Sequence, residues 1–127
     1  MTQADEKWKE QSQYDLETAR AMLRSKRYLY VLFCCQQTLE KALKAVIVKR
    51  TNEFPPRVHN LLRLAKTANI KLESEREIFL GELSSYYIQT RYPEEIESIS
   101  SSVTLEIAKE SLHKTEEVTQ WLFSMLK

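Results

Sequence analysis

The stretch that decides the fold runs from Tyr28 to Arg50 and reads YLYVLFCCQQTLEKALKAVIVKR. Its apolar residues recur at alternating intervals of three and four, which is the period of one face of an α-helix. The residues on this seam are Leu32, Cys35, Leu39, Ala42 and Val46. The pattern predicts a long helix that is packed inside a helical bundle.

Helical spacing continues on both sides of this stretch. It predicts a first helix from Asp5 to Lys26 and a closing helix from Val103 to Leu126. The polar segment Glu94 to Ser102, which contains four serines, is predicted to be a mobile loop before the closing helix.

Prolines divide the middle of the chain. Pro55 and Pro56 must break the second helix, and a short helix is then predicted to start at His59 and to end around Asn69. A fourth helix is predicted from Ser74, as its N-cap with Glu77 in the capping-box position, until Pro93 ends the pattern. On this helix Phe79, Leu83, Tyr86 and Tyr87 are predicted to face one way.

Composition supports an all-α chain. The sequence of 127 residues has one glycine and three prolines, against average usages of about 7% and 5%, so turns are few. Four long helices and one short one predict an up-and-down antiparallel four-helix bundle with one additional short helix, in a single domain over residues 1–127.

Charge and cysteine content limit the function. With 19 basic and 18 acidic side chains and a net charge of +1, the chain has no overall field that would hold nucleic acid. Cys34 and Cys35 are adjacent, which suits two core thiols in a reducing compartment better than a disulfide or a metal site. A polar N-terminus and the lack of a long apolar segment predict a cytoplasmic protein with no membrane partner.

Helix two carries polar residues next to its apolar face. A helical wheel places Gln36 between Leu43 and Ile47, so its amide is either satisfied across the bundle or meets another chain. Glu40 and Lys44, four residues apart at the edge of this face, form either a solvated pair or part of a polar strip that meets an anion or a partner helix.

Two further positions suit an anion. His59 is predicted at the start of a short helix, where free N–H groups attract phosphate, although an isolated histidine can simply cap or pack. Arg91 and Tyr92 stand at a helix end beside Tyr86 and Tyr87, and this combination fits a nucleotide or a dimer contact equally well. Catalytic residues, metal ligands and cofactor motifs are not found, because no His pair, metal-ligand spacing, Gly-rich loop or activated nucleophile is present.

Taken together, these segments resemble the HEPN domain (higher eukaryotes and prokaryotes nucleotide-binding). The resemblance spans nearly the whole chain and rests on four blocks. They are Trp8 with Asp15, Leu16 and Ala19; Tyr28 with Phe33 to Gln37 and Glu40 to Ala45; Pro56 with His59 to Leu61 and Leu64; and Thr90-Arg91-Tyr92-Pro93.

The resemblance implies four long helices with a short one, often a homodimer, and commonly a minimal nucleotidyltransferase as partner in a two-component or toxin–antitoxin pair. Nucleotide or RNA is the implied ligand, with His59, Arg91, Tyr92, Glu40 and Lys44 as its site. The residues assigned to the interface are Phe33, Gln36, Tyr86 and Tyr87.

Many members of this family are metal-independent ribonucleases with an Arg-x(4–6)-His motif. Here Arg57 lies two residues before His59, Arg50 lies nine before it, and His113 lies 22 after Arg91. Since the motif is missing, the leading hypothesis is a non-catalytic or weakly catalytic subunit that dimerises and binds a nucleotidyltransferase partner, with a nucleotide or RNA phosphate near His59 and Arg91. A diverged ribonuclease toxin and a purely structural assembly module are the alternatives.

Overall fold

The computed structural model describes residues 3–89 and 92–127, and these residues form six helices and no strand. The helices are α1 (Gln3–Arg24), α2 (Tyr28–Thr51), α3 (Leu61–Thr67), α4 (Ser74–Gln89), α5 (Pro93–Ser102) and α6 (Leu105–Ser124). The all-α bundle is confirmed, with α1, α2, α4 and α6 as the long helices, α3 as the predicted short one and α5 as a second short helix that was not predicted.

Helix α2 lies in the middle of the bundle and packs against every other helix. Its buried residues face all sides rather than one stripe, which is the mark of a helix enclosed by its neighbours. Leu32, Leu39, Leu43 and Ile47 are among the largest fully buried side chains. The apolar seam that the sequence predicts is therefore the core of the protein.

The helix ends are made almost without glycine. Lys26, Asn52 and Asn69 adopt the left-handed conformation just after α1, α2 and α3, with φ of 62°, 57° and 58°. Asparagine tolerates this region better than most residues, and the resulting turns satisfy the last carbonyls of each helix. Arg50 adds a link between helix ends, because its Nη1 donates to the Ala68 carbonyl at 2.9 Å.

The short helix begins later than predicted. Asn60 is the N-cap of α3, and its side chain accepts from the N–H groups of Leu62 and Arg63 at 3.0 and 3.1 Å. The prediction that His59 opens this helix is thus wrong, because the asparagine side chain supplies the cap one residue further on. Ser74 is likewise the first residue of α4 and not its cap, since the Glu77 N–H bonds to the Glu73 carbonyl.

The predicted loop from Glu94 to Ser102 is wrong, because these residues belong to α5. Pro93 occupies the first turn, where its fixed φ suits a helix and its missing N–H costs nothing. Ile96 and Ile99 pack against the core, three residues apart. The serine-rich composition concealed this short amphipathic pattern.

Both cysteines are free, and they lie in the core as the sequence predicts: Cys35 is buried and Cys34 is partly buried. Burial raises the pKa of Cys34 to about 11 and that of Cys35 to about 12. Both thiols therefore stay protonated at neutral pH, and neither acts as a nucleophile there.

The position of α2 gives a stability prediction. Leu43→Ala removes a side chain with no exposed surface and should cost about 2–5 kcal/mol of unfolding free energy. The matched control is Ile78→Ala on α4, where the side chain is 63% exposed, and its cost should stay below about 0.5 kcal/mol. Urea unfolding followed by circular dichroism measures both, and equal losses would contradict a core centred on α2.

Candidate functional site

A buried carboxylate on α2 organises the polar cluster of the protein. Glu40 is only 4% exposed, and three side chains donate to it. Lys44 Nζ lies 3.0 Å from Oε2, Gln36 Nε2 lies 3.1 Å from Oε1, and His59 Nδ1 lies 3.1 Å from both oxygens. A carboxylate is costly to bury unless such donors surround it, so these four residues depend on one another.

Gln36 ties the loop between α2 and α3 to this carboxylate. Its amide has no exposed surface, and Nε2 also donates to the His59 carbonyl at 2.9 Å. Its Oε1 accepts from Gln37 Nε2 at 2.7 Å. The sequence left open whether the Gln36 amide is hydrogen-bonded within the bundle or meets another chain. The structure shows that its hydrogen bonds are made within the chain. Both the backbone and the ring of His59 are thereby fixed to α2.

Lys44 is part of the interior rather than the surface. Its side chain is 8% exposed and that of Glu40 is 6% exposed, so the solvated pair considered for the sequence is wrong. The ammonium group also lies 5.4 Å from the centre of the Trp8 ring on α1. The helical wheel placed Glu40 and Lys44 at the edge of the apolar face of α2, but α1 and the loop that contains His59 cover that edge.

His59 is the point where this buried cluster reaches solvent. Its side chain is 46% exposed. The Tyr87 ring on α4 lies 5.3 Å from the imidazole at a tilt of 44°, and Phe33 stacks on Tyr87 at 5.5 Å. The interpretation of His59 as an isolated histidine is wrong, because it has a carboxylate partner and an aromatic neighbour.

The chemistry of this arrangement follows from the hydrogen bonds. A carboxylate can only accept, so Nδ1 carries the proton in the bond to Glu40. The ring is then held in one orientation, with Nε2 as the nitrogen left for an outside partner. Such a ring can bind an anion when protonated, and it can accept a proton when neutral.

The structure thus brings together Glu40, Lys44 and His59 with Phe33, Gln36 and Tyr87. Tyr86 lies elsewhere, in a groove between α4 and α6, so the prediction that Tyr86 and Tyr87 face one way is wrong. One residue along a helix turns the side chain by about 100°, which separates the two rings.

The remaining predicted residues are Tyr92 and Arg91. Tyr92 is the N-cap of α5 and is 51% exposed. Arg91 lies outside the described residues. Tyr87, which contacts His59, is four residues before Arg91 in the sequence.

Sequence reasoning missed two supporting side chains. Trp8 is the aromatic neighbour of Lys44; its signals in the sequence were its place on the first helix and in the first block of the family resemblance, and neither pointed to Lys44. Ser84 is buried and its Oγ accepts from the Leu61 N–H at 3.0 Å, which fixes the start of α3 on α4. A serine between apolar helix positions was its only signal.

Other classes of site are not seen in the described part of the chain. No group of three or more His, Cys, Asp or Glu side chains is placed to hold a metal ion there. None of the helices in residues 3–89 and 92–127 is long and apolar enough to cross a membrane.

The chain is thus a small helical bundle with a carboxylate-bound histidine in the loop before α3. The family model of the HEPN domain matches residues 6–125, so the chain belongs to the HEPN domain family. The comparison with curated proteins found no match.

Two solved structures are similar over almost the whole chain. One is the protein TT1696 from Thermus thermophilus, with a TM-score of 0.83 and 25% identity, covering 99% of this chain and 100% of that one. The other is ST0689, an archaeal HEPN homologue, with a TM-score of 0.79 and 23% identity, and the same coverage. The second likeness concerns the fold alone.

The cluster predicts that Glu40 cannot be removed by itself. Glu40→Leu leaves the buried Lys44 ammonium without its carboxylate, and this should cost about 3–5 kcal/mol of unfolding free energy. Adding Lys44→Met should restore part of that loss, because the unpaired ammonium is then removed, whereas Gln36 and His59 still lack their bonds to the carboxylate. Urea unfolding of the single and double variants measures the coupling.

The matched control is Glu110→Leu. Glu110 also pairs with a lysine four residues further on, Lys114, but its side chain is 66% exposed. This change should leave the free energy of unfolding almost unchanged, because water screens the pair. If Glu40→Leu were tolerated as well as Glu110→Leu, the central role of the buried carboxylate would be refuted.

Proposed function

We propose that this chain is a HEPN-type binding subunit that holds a nucleotide or an RNA phosphate at His59. In this proposal the subunit is a dimer and acts with a minimal nucleotidyltransferase, in a two-component or toxin–antitoxin-like pair. The observation that carries the ligand site is the half-exposed imidazole, bonded to buried Glu40 and bordered by the Tyr87 ring.

The burial pattern assigns different tasks to the polar residues. Lys44 and Glu40 are buried and bonded to each other, so they support the site and do not themselves meet the ligand. His59 meets it through Nε2. Because the net charge of the chain is only +1, a phosphate must be held by such local donors rather than by a general field.

The aromatic rings suit the other part of a nucleotide. Tyr87 and Phe33 stack on one another beside the imidazole, and both are partly buried. Stacking of a base on an aromatic ring is worth about 1–3 kcal/mol and tolerates any base. Arg91 would complete the proposed site with a guanidinium fork for the phosphate.

The proposed site predicts which substitutions weaken binding. His59→Ala and Arg91→Ala should each reduce the affinity for adenosine triphosphate or a short single-stranded RNA by about tenfold, the effect of losing one charge-assisted bond. Isothermal titration measures this, with the exposed Lys71→Ala as the charge control. Equal losses of affinity in all three variants would show that the ligand is held by nonspecific charge and not at this site.

His59→Asn separates ligand binding from folding. The asparagine amide can replace Nδ1 as the donor to Glu40, but it has no counterpart of Nε2. This variant should unfold at nearly the wild-type urea concentration and yet bind the nucleotide as weakly as His59→Ala. Wild-type affinity in His59→Asn would show that the imidazole does not touch the ligand.

The ribonuclease alternative is tested with the same proteins. A histidine oriented by a carboxylate is an arrangement that general bases use. Nevertheless, among the described residues no arginine is bonded to His59 or Glu40, and the Arg–His spacing of the family is missing. RNA should therefore stay intact. Cleavage that disappears in His59→Ala would replace the binding proposal with the ribonuclease.

A homodimer is the predicted assembly. Several large apolar side chains remain on the surface, including Phe54 at 97% exposure and Tyr14 at 70%. A monomer rarely leaves much apolar surface without a use. Light scattering at tens of micromolar should give twice the monomer mass, and a strict monomer would refute the prediction.

The third hypothesis, a purely structural assembly module, differs from the binding-subunit proposal in the protein partner that it requires. Co-expression with a small nucleotidyltransferase encoded beside this chain should yield a complex in the binding-subunit proposal. A structural module would neither require such a neighbour nor bind a nucleotide.

A further inference from the structure

A groove runs between α4 and α6, on the side of α4 away from Tyr87. Helix α6 packs mainly on α2 and α1, while α4 packs on α2 and α3, so the two helices flank α2 without closing over it. One part of the groove has a volume of about 490 Å³ and the next about 200 Å³. Phe79, Glu82 and Lys114 line both parts, which makes the groove continuous.

The floor of this groove is apolar. Phe79 and Val118 form its base and are 6% and 3% exposed. Ile78 and Ile107 line it further out and are 63% and 37% exposed. Phe79 and Val118 are already covered, so Ile78 and Ile107 are the side chains whose burial under another apolar surface would gain free energy.

The walls of the groove are acidic. Its two parts are lined by five glutamates, against two cations, Arg76 and Lys114: the glutamates are Glu73, Glu75, Glu82, Glu110 and Glu117. This concentration of negative charge stands out in a chain whose net charge is +1. The local charge of the groove therefore differs from that of the protein as a whole.

The two cations offset only part of this charge, because five glutamates line the groove. Lys114 is bonded to Glu110 at 2.9 Å, and this hydrogen bond raises the pKa of Lys114 and lowers that of Glu110. Arg76 lies over the Trp121 ring at 4.2 Å and near Glu73 at 3.7 Å.

Two of the glutamates are left for an outside partner. Glu75 and Glu82 are exposed. Neither lies within ion-pair distance of a cation among the described residues, and their charges contribute to the raised pKa of Lys114. They lie seven residues apart on α4, which places them on the same face of the helix, two turns apart.

We propose that the groove between α4 and α6 docks a basic amphipathic helix of a partner protein. The apolar stripe of that helix would lie on the exposed side chains of Ile78 and Ile107, and its lysines or arginines would meet Glu75 and Glu82. From Glu73 to Tyr86 the groove follows α4 for about 20 Å at 1.5 Å per residue, the length of a helix of three to four turns.

This docking surface goes beyond the proposed function and does not rest on it. Tyr86 lines the groove, whereas Tyr87 faces His59, so α4 separates the two sites. The acidic walls repel nucleic acid, which makes a cationic protein segment the occupant that the charges favour. The helix-in-groove mode also needs apolar anchors spaced along one face, and this floor can receive them.

The test uses the full chain and a labelled synthetic helix of about 14 residues, built from leucine on one face and lysine on the other. Fluorescence anisotropy measures its affinity. Its counterpart with glutamate in place of lysine should bind at least about tenfold more weakly, because the groove then repels it. Raising the salt concentration should weaken binding of the lysine peptide.

Glu75→Lys combined with Glu82→Lys should weaken the lysine peptide by about tenfold, since both contacts become repulsive. The control is Glu77→Lys combined with Glu10→Lys, which changes the net charge equally at exposed positions outside the groove. This control pair should leave the affinity for the lysine peptide within about twofold of the wild-type value. Ile78→Ser, which alters only the floor, should weaken binding several-fold.

Three results would overturn the proposal. Equal losses in the groove and control pairs would show a response to net charge alone. Equal binding of both peptides would show that the acidic walls are not recognised. If the groove pair converts a wild-type dimer to a monomer in light scattering, a second copy of the chain fills the groove instead.

Discussion

Burial of the charged pair Glu40 and Lys44 is the constraint on which the polar cluster around His59 depends. Helix α2 is surrounded by the rest of the bundle, so these two side chains cannot turn to water. A carboxylate and an ammonium group lose several kcal/mol of hydration when they are buried, and only close donors and acceptors offset this. The pair is therefore fixed by the same packing that makes the core.

The need to satisfy Glu40 explains why the segment after α2 takes its path. Two prolines end the helical pattern, and the chain then returns along α2 until the His59 ring and carbonyl bond to Glu40 and Gln36. Asn60 begins α3 immediately afterwards. A loop that could otherwise adopt many conformations is held at both its backbone and a side chain, which fixes the orientation of the His59 ring.

Helix α4 divides the surface into two regions of different character. Its Tyr87 side belongs to the histidine site, and its Tyr86 side belongs to the acidic groove. A single helix can do this because neighbouring residues point about 100° apart. A subunit that binds an anionic ligand and a cationic protein segment needs such a separation, since the two would neutralise each other on one face.

Similar structures at 25% and 23% identity share the fold, so few individual residues are needed to specify the bundle.

The sequence by itself determined the helical bundle and most of its helices. The three-and-four spacing from Leu32 to Val46 and the proline break after α2 are local signals, and local signals are sufficient for helices. Local signals are misleading at α5, because four serines obscure the spacing of Ile96 and Ile99 and because a proline can begin a helix as well as end one.

The sequence was sufficient to choose the candidate residues Gln36, Glu40, Lys44 and His59 from their types and spacing. It did not show which of them contact one another or which of them are buried. Whether Glu40 and Lys44 meet water depends on what covers the edge of α2, and the covering residues, Trp8 and His59, are 36 and 19 positions from Lys44 and Glu40. Only the tertiary structure decided this, because burial is a property of neighbours in space and a helical wheel contains only neighbours in sequence.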